Sequence, residues 1–138
     1  SLTGGMIGSR ICDVAGASDV FRGSVVSYAT EVKQQVLGVP EGPVVSAEAA
    51  VAMATGARRV LGADVGIAAT GVAGPDPQEG HDPGTVCIAV VIGDPDDGGD
   101  VTSMTLRLPG RRHQVREYTV ITLLGLLRRR LVERDEAG

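Results

Sequence analysis

Along this chain, short unbroken apolar runs alternate with rows of apolar residues at helical spacing. Residues 65–69 (Val-Gly-Ile-Ala-Ala) carry no polar side chain between Asp64 and Thr70, which predicts a strand buried on both faces. Residues 84–92 predict a second strand and 101–108 a third, joined by a solvated, acidic hairpin turn at 94–100. Residues 20–28 alternate imperfectly and predict a further strand whose buried face stays undecided. Helical spacing appears at Met6, Ile7, Ile11 and Val14, with Ser1 or Thr3 as the cap. It appears again over 31–37, after Thr30 as N-cap and before Gly38-Val39-Pro40. Ser46 caps a clear helix over Ala47–Leu61, which reads as scaffold and ends at Gly62. The last helix spans roughly 112–132, with Val120, Leu123, Leu124, Leu127 and Leu131 facing the core.

Composition narrows the function classes. The 138 residues, 43% of them hydrophobic, suit one globular domain with a real core. Three aromatic residues (Phe21, Tyr28, Tyr118) and a net charge of −4 leave little for stacking on bases or gripping a phosphate backbone, which argues against nucleic acid. Cys12 and Cys87 lie in apolar stretches and predict buried free thiols, as in a cytoplasmic protein. No signal peptide is visible, and no apolar run approaches the ~20 residues that span a bilayer. Asp76, Glu79, His81 and Asp82 share an exposed polar loop, but neither of the two histidines is paired at a ligand spacing, so no metal site is expected. Arg128-Arg129-Arg130 suit the negative end of the last helix and need no partner.

The candidate chemistry sits in loops. Thr70 ends the first strand and is followed by Gly71, Gly74 and Pro75, and in open α/β sheets such strand ends face ligands. Ser1-Leu2-Thr3-Gly4-Gly5 reads as a functional loop entering a helix, and a strand would normally feed it, so upstream residues are expected. Lys33 falls in a first helical turn, where the positive pole favours a neutral amine. A lysine of lowered pKa, Tyr28 at a strand end and nearby serines are what a Ser-Lys hydrolase requires, although a solvated lysine is the commoner meaning of any single Lys. Arg111 and Arg112 at the start of the last helix cost stability unless an anion such as phosphate sits there.

The motifs Ser1-Leu2-Thr3-Gly4-Gly5, Gly16-Ala17-Ser18, Phe21-Arg22-Gly23, residues 28–33, Leu37-Gly38-Val39-Pro40, Thr70-Gly71-Val72-Ala73-Gly74-Pro75, Gly84-Thr85-Val86 and Gly110-Arg111-Arg112 occur in the order of the CinA C-terminal family. The chain resembles that family nearly end to end. The resemblance implies a single-domain, three-layer α/β/α sandwich, here without the family's N-terminal helix and strand. It also implies a cytoplasmic nicotinamide mononucleotide deamidase that forms nicotinate mononucleotide and ammonia, in pyridine-nucleotide salvage, without metal or cofactor. By position, Ser1 is the implied nucleophile, Lys33 its base and Tyr28 their support. Thr3, Gly4, Gly5, Ser18, Thr70, Gly71, Gly74 and Arg112 are the implied substrate contacts, with Ser18 and Thr70 as pocket hydroxyls and Arg112 on the phosphate. The choice between Ser1 and Ser18 as attacking group stays open, as does assembly into a homo-oligomer. The partner is a small nucleotide, with neither nucleic acid nor membrane.

The chain departs from the family in three places. The Glu that usually precedes the first Ser has no counterpart, the 40–45 loop is short, and Gly-Arg-Arg stands where Gly-Asp-Arg is common. Two other readings stand beside the deamidase: an N-terminal-nucleophile hydrolase using the Ser1 amine as base, and a non-catalytic nucleotide-binding or sensor module.

Overall fold

A computed structural model describes residues 1–138. Strands β1 (Val65–Gly71), β2 (Thr85–Ile92) and β3 (Asp100–Arg107) form one antiparallel sheet in the order β1-β2-β3. Helices α1 (Met6–Cys12), α2 (Thr30–Gln35), α3 (Ala47–Leu61) and α4 (Arg112–Ala137) complete the chain, with short 3-10 turns at Ala17–Asp19 and Pro95–Asp97.

The strand β2 decides the layering. All eight of its residues are buried, and its side chains alternate between two cores. Cys87, Ala89 and Val91 face α3, meeting Ala49, Ala50, Met53 and Ala54, whereas Val86, Ile88, Val90 and Ile92 face Val115, Leu123 and Leu126 of α4. The expected three-layer α/β/α sandwich results. The α3 side is built from small residues, and two glycines let backbones touch there. A Cβ on Gly56 would lie 2.0 Å from Leu37 O, and one on Gly66 would lie 2.1 Å from Ala54 O. Ser46 caps α3 as expected, its Oγ accepting from Ala49 N at 3.0 Å, and Gly62 closes it at φ 60°.

Several expectations are corrected. β1 is an edge strand only partly buried, because an apolar run reads alike in an edge and in a central strand; β2 holds the centre. Residues 20–28 form no strand. They run extended past α1 and the end of α3, held by the bond from Arg22 Nε to Leu61 O (3.0 Å), and residues 22–28 enter no backbone ladder. Alternation makes a strand only beside a partner backbone. Neither Ser1 nor Thr3 caps α1, whose N-cap is Gly5 at φ 94°, and α2 starts at Thr30 after Ala29. Cys12, at the end of α1, is exposed, whereas Cys87 is buried. α4 continues to Ala137; Leu131 is exposed, and Leu126 joins the core stripe. Arg130 does take partners, bonding Asp100 on β3 and, at 2.6 Å, Glu133. The 94–100 turn closes the β2–β3 hairpin as expected, with Asp94 Oδ1 accepting from Asp96 N.

Candidate active site

Beside the C-terminal end of β1 lies a cavity of about 390 Å³ lined by Ser1, Tyr28, Lys33, Thr70, Gly71, Gly74 and Arg112. These residues come from four separate stretches of sequence. Leu2, Thr30, Val44, Val45 and the rest of residues 72–78 complete the wall.

Lys33 is 2% exposed, and its Nζ donates to Ser27 O at 2.8 Å and to Tyr28 O at 3.3 Å. Burial pushes its pKa below the ordinary lysine value, partly offset by the charge of Glu79. The cause therefore differs from the one expected, since α2 has only six residues and Lys33 lies near its end. A neutral amine has two N–H groups and one lone pair, so a lysine donating to both carbonyls keeps that lone pair free for a hydroxyl proton.

Ser1 lies in a tight loop whose position is fixed from α4. Arg116 donates from Nε to Leu2 O at 2.9 Å and from Nη2 to Thr3 O at 3.1 Å, and the Ser1 nitrogen donates to Ala69 O on the free edge of β1.

Tyr28 meets Lys33 through its carbonyl rather than its phenol. The phenol oxygen accepts from Arg112 Nη2 at 2.8 Å, while Arg112 Nη1 donates to Gly74 O at 2.7 Å, so Tyr28 orients the arginine. Arg111 is exposed, and its amide donates to Gln114 Oε1 at 2.8 Å. The Thr70 hydroxyl donates to Val44 O at 2.6 Å, so its proton is committed to the wall and the oxygen is left only as an acceptor. The buried Ala73 and Gly74 contribute backbone N–H groups that enter no backbone hydrogen bond.

Four predicted contacts lie apart from this cavity. Thr3, Gly4 and Gly5 line a neighbouring, mostly apolar cavity of about 100 Å³ that shares only Ser1 with the first. Ser18 lies in the Ala17–Asp19 turn, exposed and on neither cavity wall, so of the two serines only Ser1 shares a cavity with Lys33. Sequence reasoning missed Glu79 and Arg116. Arg116 was findable, because it follows Arg112 by four residues and so occupies the same helix face. No three His, Cys, Asp or Glu side chains cluster as a metal ion would need, and no helix is long and apolar enough to cross a membrane.

Known proteins agree with this architecture. The chain is 51% identical over 95% of its length to a CinA-like protein of Frankia casuarinae. It is 48% identical over 87% of its length to a putative competence-damage inducible protein of Limosilactobacillus fermentum. It spans 30% of each of those relatives. The competence-damaged protein (CinA) superfamily protein from Enterobacter cloacae superposes with a TM-score of 0.85 at 31% identity, over 92% of this chain and 76% of that one. A competence/damage inducible protein from Agrobacterium tumefaciens gives 0.84 at 31% identity, over 92% and 79%. With residues 1–131 matching the CinA C-terminal domain as well, the chain belongs to that family.

Proposed function

We propose that this domain hydrolyses the carboxamide of nicotinamide mononucleotide, with Ser1 as nucleophile and Lys33 as its base. The observation that carries the reading is the buried amine of Lys33, lowered in pKa, in one cavity with Ser1 and Arg112. Neutral Lys33 takes the proton of Ser1 Oγ as the oxygen bonds to the amide carbon. The C–N bond then breaks, the ammonium of Lys33 returns the proton to the departing nitrogen, and ammonia leaves. Water, deprotonated by the same amine, cleaves the resulting ester and frees nicotinate mononucleotide and Ser1.

The tetrahedral oxyanion needs donors. Since the Thr70 proton is committed to Val44, the free amides of Ala73 and Gly74 suit this role better than the threonine. Arg112 keeps N–H groups beyond those given to Gly74 and Tyr28, which suits a phosphate at the cavity rim.

An ammonia-release assay with nicotinamide mononucleotide and with other amides tests the reading. Turnover is expected with the mononucleotide, with none in Lys33→Ala, while mononucleotide binding persists. Binding without ammonia release from the unmodified protein would make the domain a binding module instead.

A further inference from the structure

The loop that borders the cavity carries a backbone feature the deamidase reading leaves unused. Gln78 and His81 exchange backbone hydrogen bonds (3.1 and 2.8 Å), so Glu79 and Gly80 form a two-residue turn with both φ angles positive, 51° and 75°. Such turns favour Asn-Gly or Asp-Gly, and Glu79 is the one non-glycine residue of the chain at positive φ. Strain of this kind persists where the side chain is needed. Here the side chain has a use: its Oε1 accepts from Val44 N at 2.9 Å and its Oε2 from Val45 N at 2.8 Å. Val44 and Val45 line the Lys33 cavity, and Val44 O holds the Thr70 hydroxyl.

We propose that Glu79 is a positioning residue of this site, its carboxylate pinning the 76–83 loop to the Val44–Val45 wall and setting a negative charge beside the Lys33 cavity. The proposal rests on the Ser1–Lys33 reading. The field of Glu79 favours the Lys33 ammonium, and so opposes the effect of burial. The other charged side chains near Lys33 are Asp76 and Arg112 around the cavity and Glu31 on α2 itself. Glu79 thus keeps the base from losing its proton too readily, so that Lys33 can still protonate the leaving ammonia.

Glu79→Asn suits the turn but removes the charge and the reach to both amides. Glu79→Asp keeps the charge on a shorter arm. After thermal unfolding has established that both variants fold, ammonia release is followed against pH. The Asn variant is expected to lose at least about tenfold in kcat, and the acid limb of its profile moves to lower pH, because an ammonium without a neighbouring negative charge deprotonates earlier. The Asp variant loses rate but keeps the limb near its original place. An unchanged rate in the Asn variant, or a reduced rate with the limb unmoved, overturns the proposal. Two measurements need no turnover: amide exchange at Val44 and Val45, and NMR titration of Lys33. Faster exchange and a lower Lys33 midpoint in the Asn variant uphold the role of Glu79 even if the unmodified protein releases no ammonia, an outcome that would refute only the deamidase reading. Both quantities unchanged overturn it.

Discussion

At the scale of single residues, Lys33 adds a pH dependence to the stability of the domain. Its pKa is lowered in the folded state, so the unfolded chain binds more protons than the native one between that lowered value and about 10.4. Stability from this group is therefore gained as pH rises through that window and lost as pH falls through the native pKa. Urea unfolding at a series of pH values should show the native protein gaining on Lys33→Met over the same range; a constant difference would contradict the assignment. Arg116 belongs to the same scale. Removing it frees two backbone carbonyls of the Ser1 loop, and Arg116→Ala is expected to cost roughly 1.5–3 kcal/mol and to lower kcat more than it raises KM. Arg112→Ala should do the reverse, chiefly raising KM, as steady-state kinetics of the two variants would show. What the sequence made legible here was which residues gather at one cavity, not what each side chain touches. Ser1, Lys33, Thr70 and Arg112 do share a cavity, yet the phenol of Tyr28 serves Arg112 and the hydroxyl of Thr70 serves Val44. Ser18 shows the limit of motif order, because a nearby glycine such as Gly16 says nothing of which surface a turn presents.

Among the elements, α3 was the most readable, since Ser46 and Gly62 supply a side-chain cap and a left-handed stop that act locally. Residues 20–28 were misread because a strand is a property of two backbones, and one sequence window reports only one of them. The glycines between α3 and its neighbours carried meaning that periodicity could not express. Gly56→Ala and Gly66→Ala each push a methyl group into a backbone carbonyl, and each is expected to cost about 1–3 kcal/mol, read as a lower Tm. Gly16→Ala, where a Cβ would meet nothing within 4 Å, pays only for its φ of 85° and should cost less.

On the scale of the whole molecule, the division of labour across the sheet explains where a site could form. Large side chains on one face of β2 are matched by α4, small ones on the other by α3, and the cavity opens at the end of β1 where the loops from both layers meet. That layering could be anticipated from the family resemblance and from the length of the apolar runs. The order of strands could not, because β1 and β2 are both apolar and only pairing tells an edge from a centre.

The contact between Tyr28 and Arg112 has an optical consequence. The chain contains no tryptophan and only two tyrosines, so Tyr28 and Tyr118 account for nearly all its ultraviolet emission. A phosphate that draws the guanidinium off the phenol would alter the brightness of one emitter and leave the other alone. With Tyr118→Phe as the background, occupancy of the cavity should be readable as a saturable fluorescence change, with no label attached; a flat trace on adding the mononucleotide would place the ligand elsewhere.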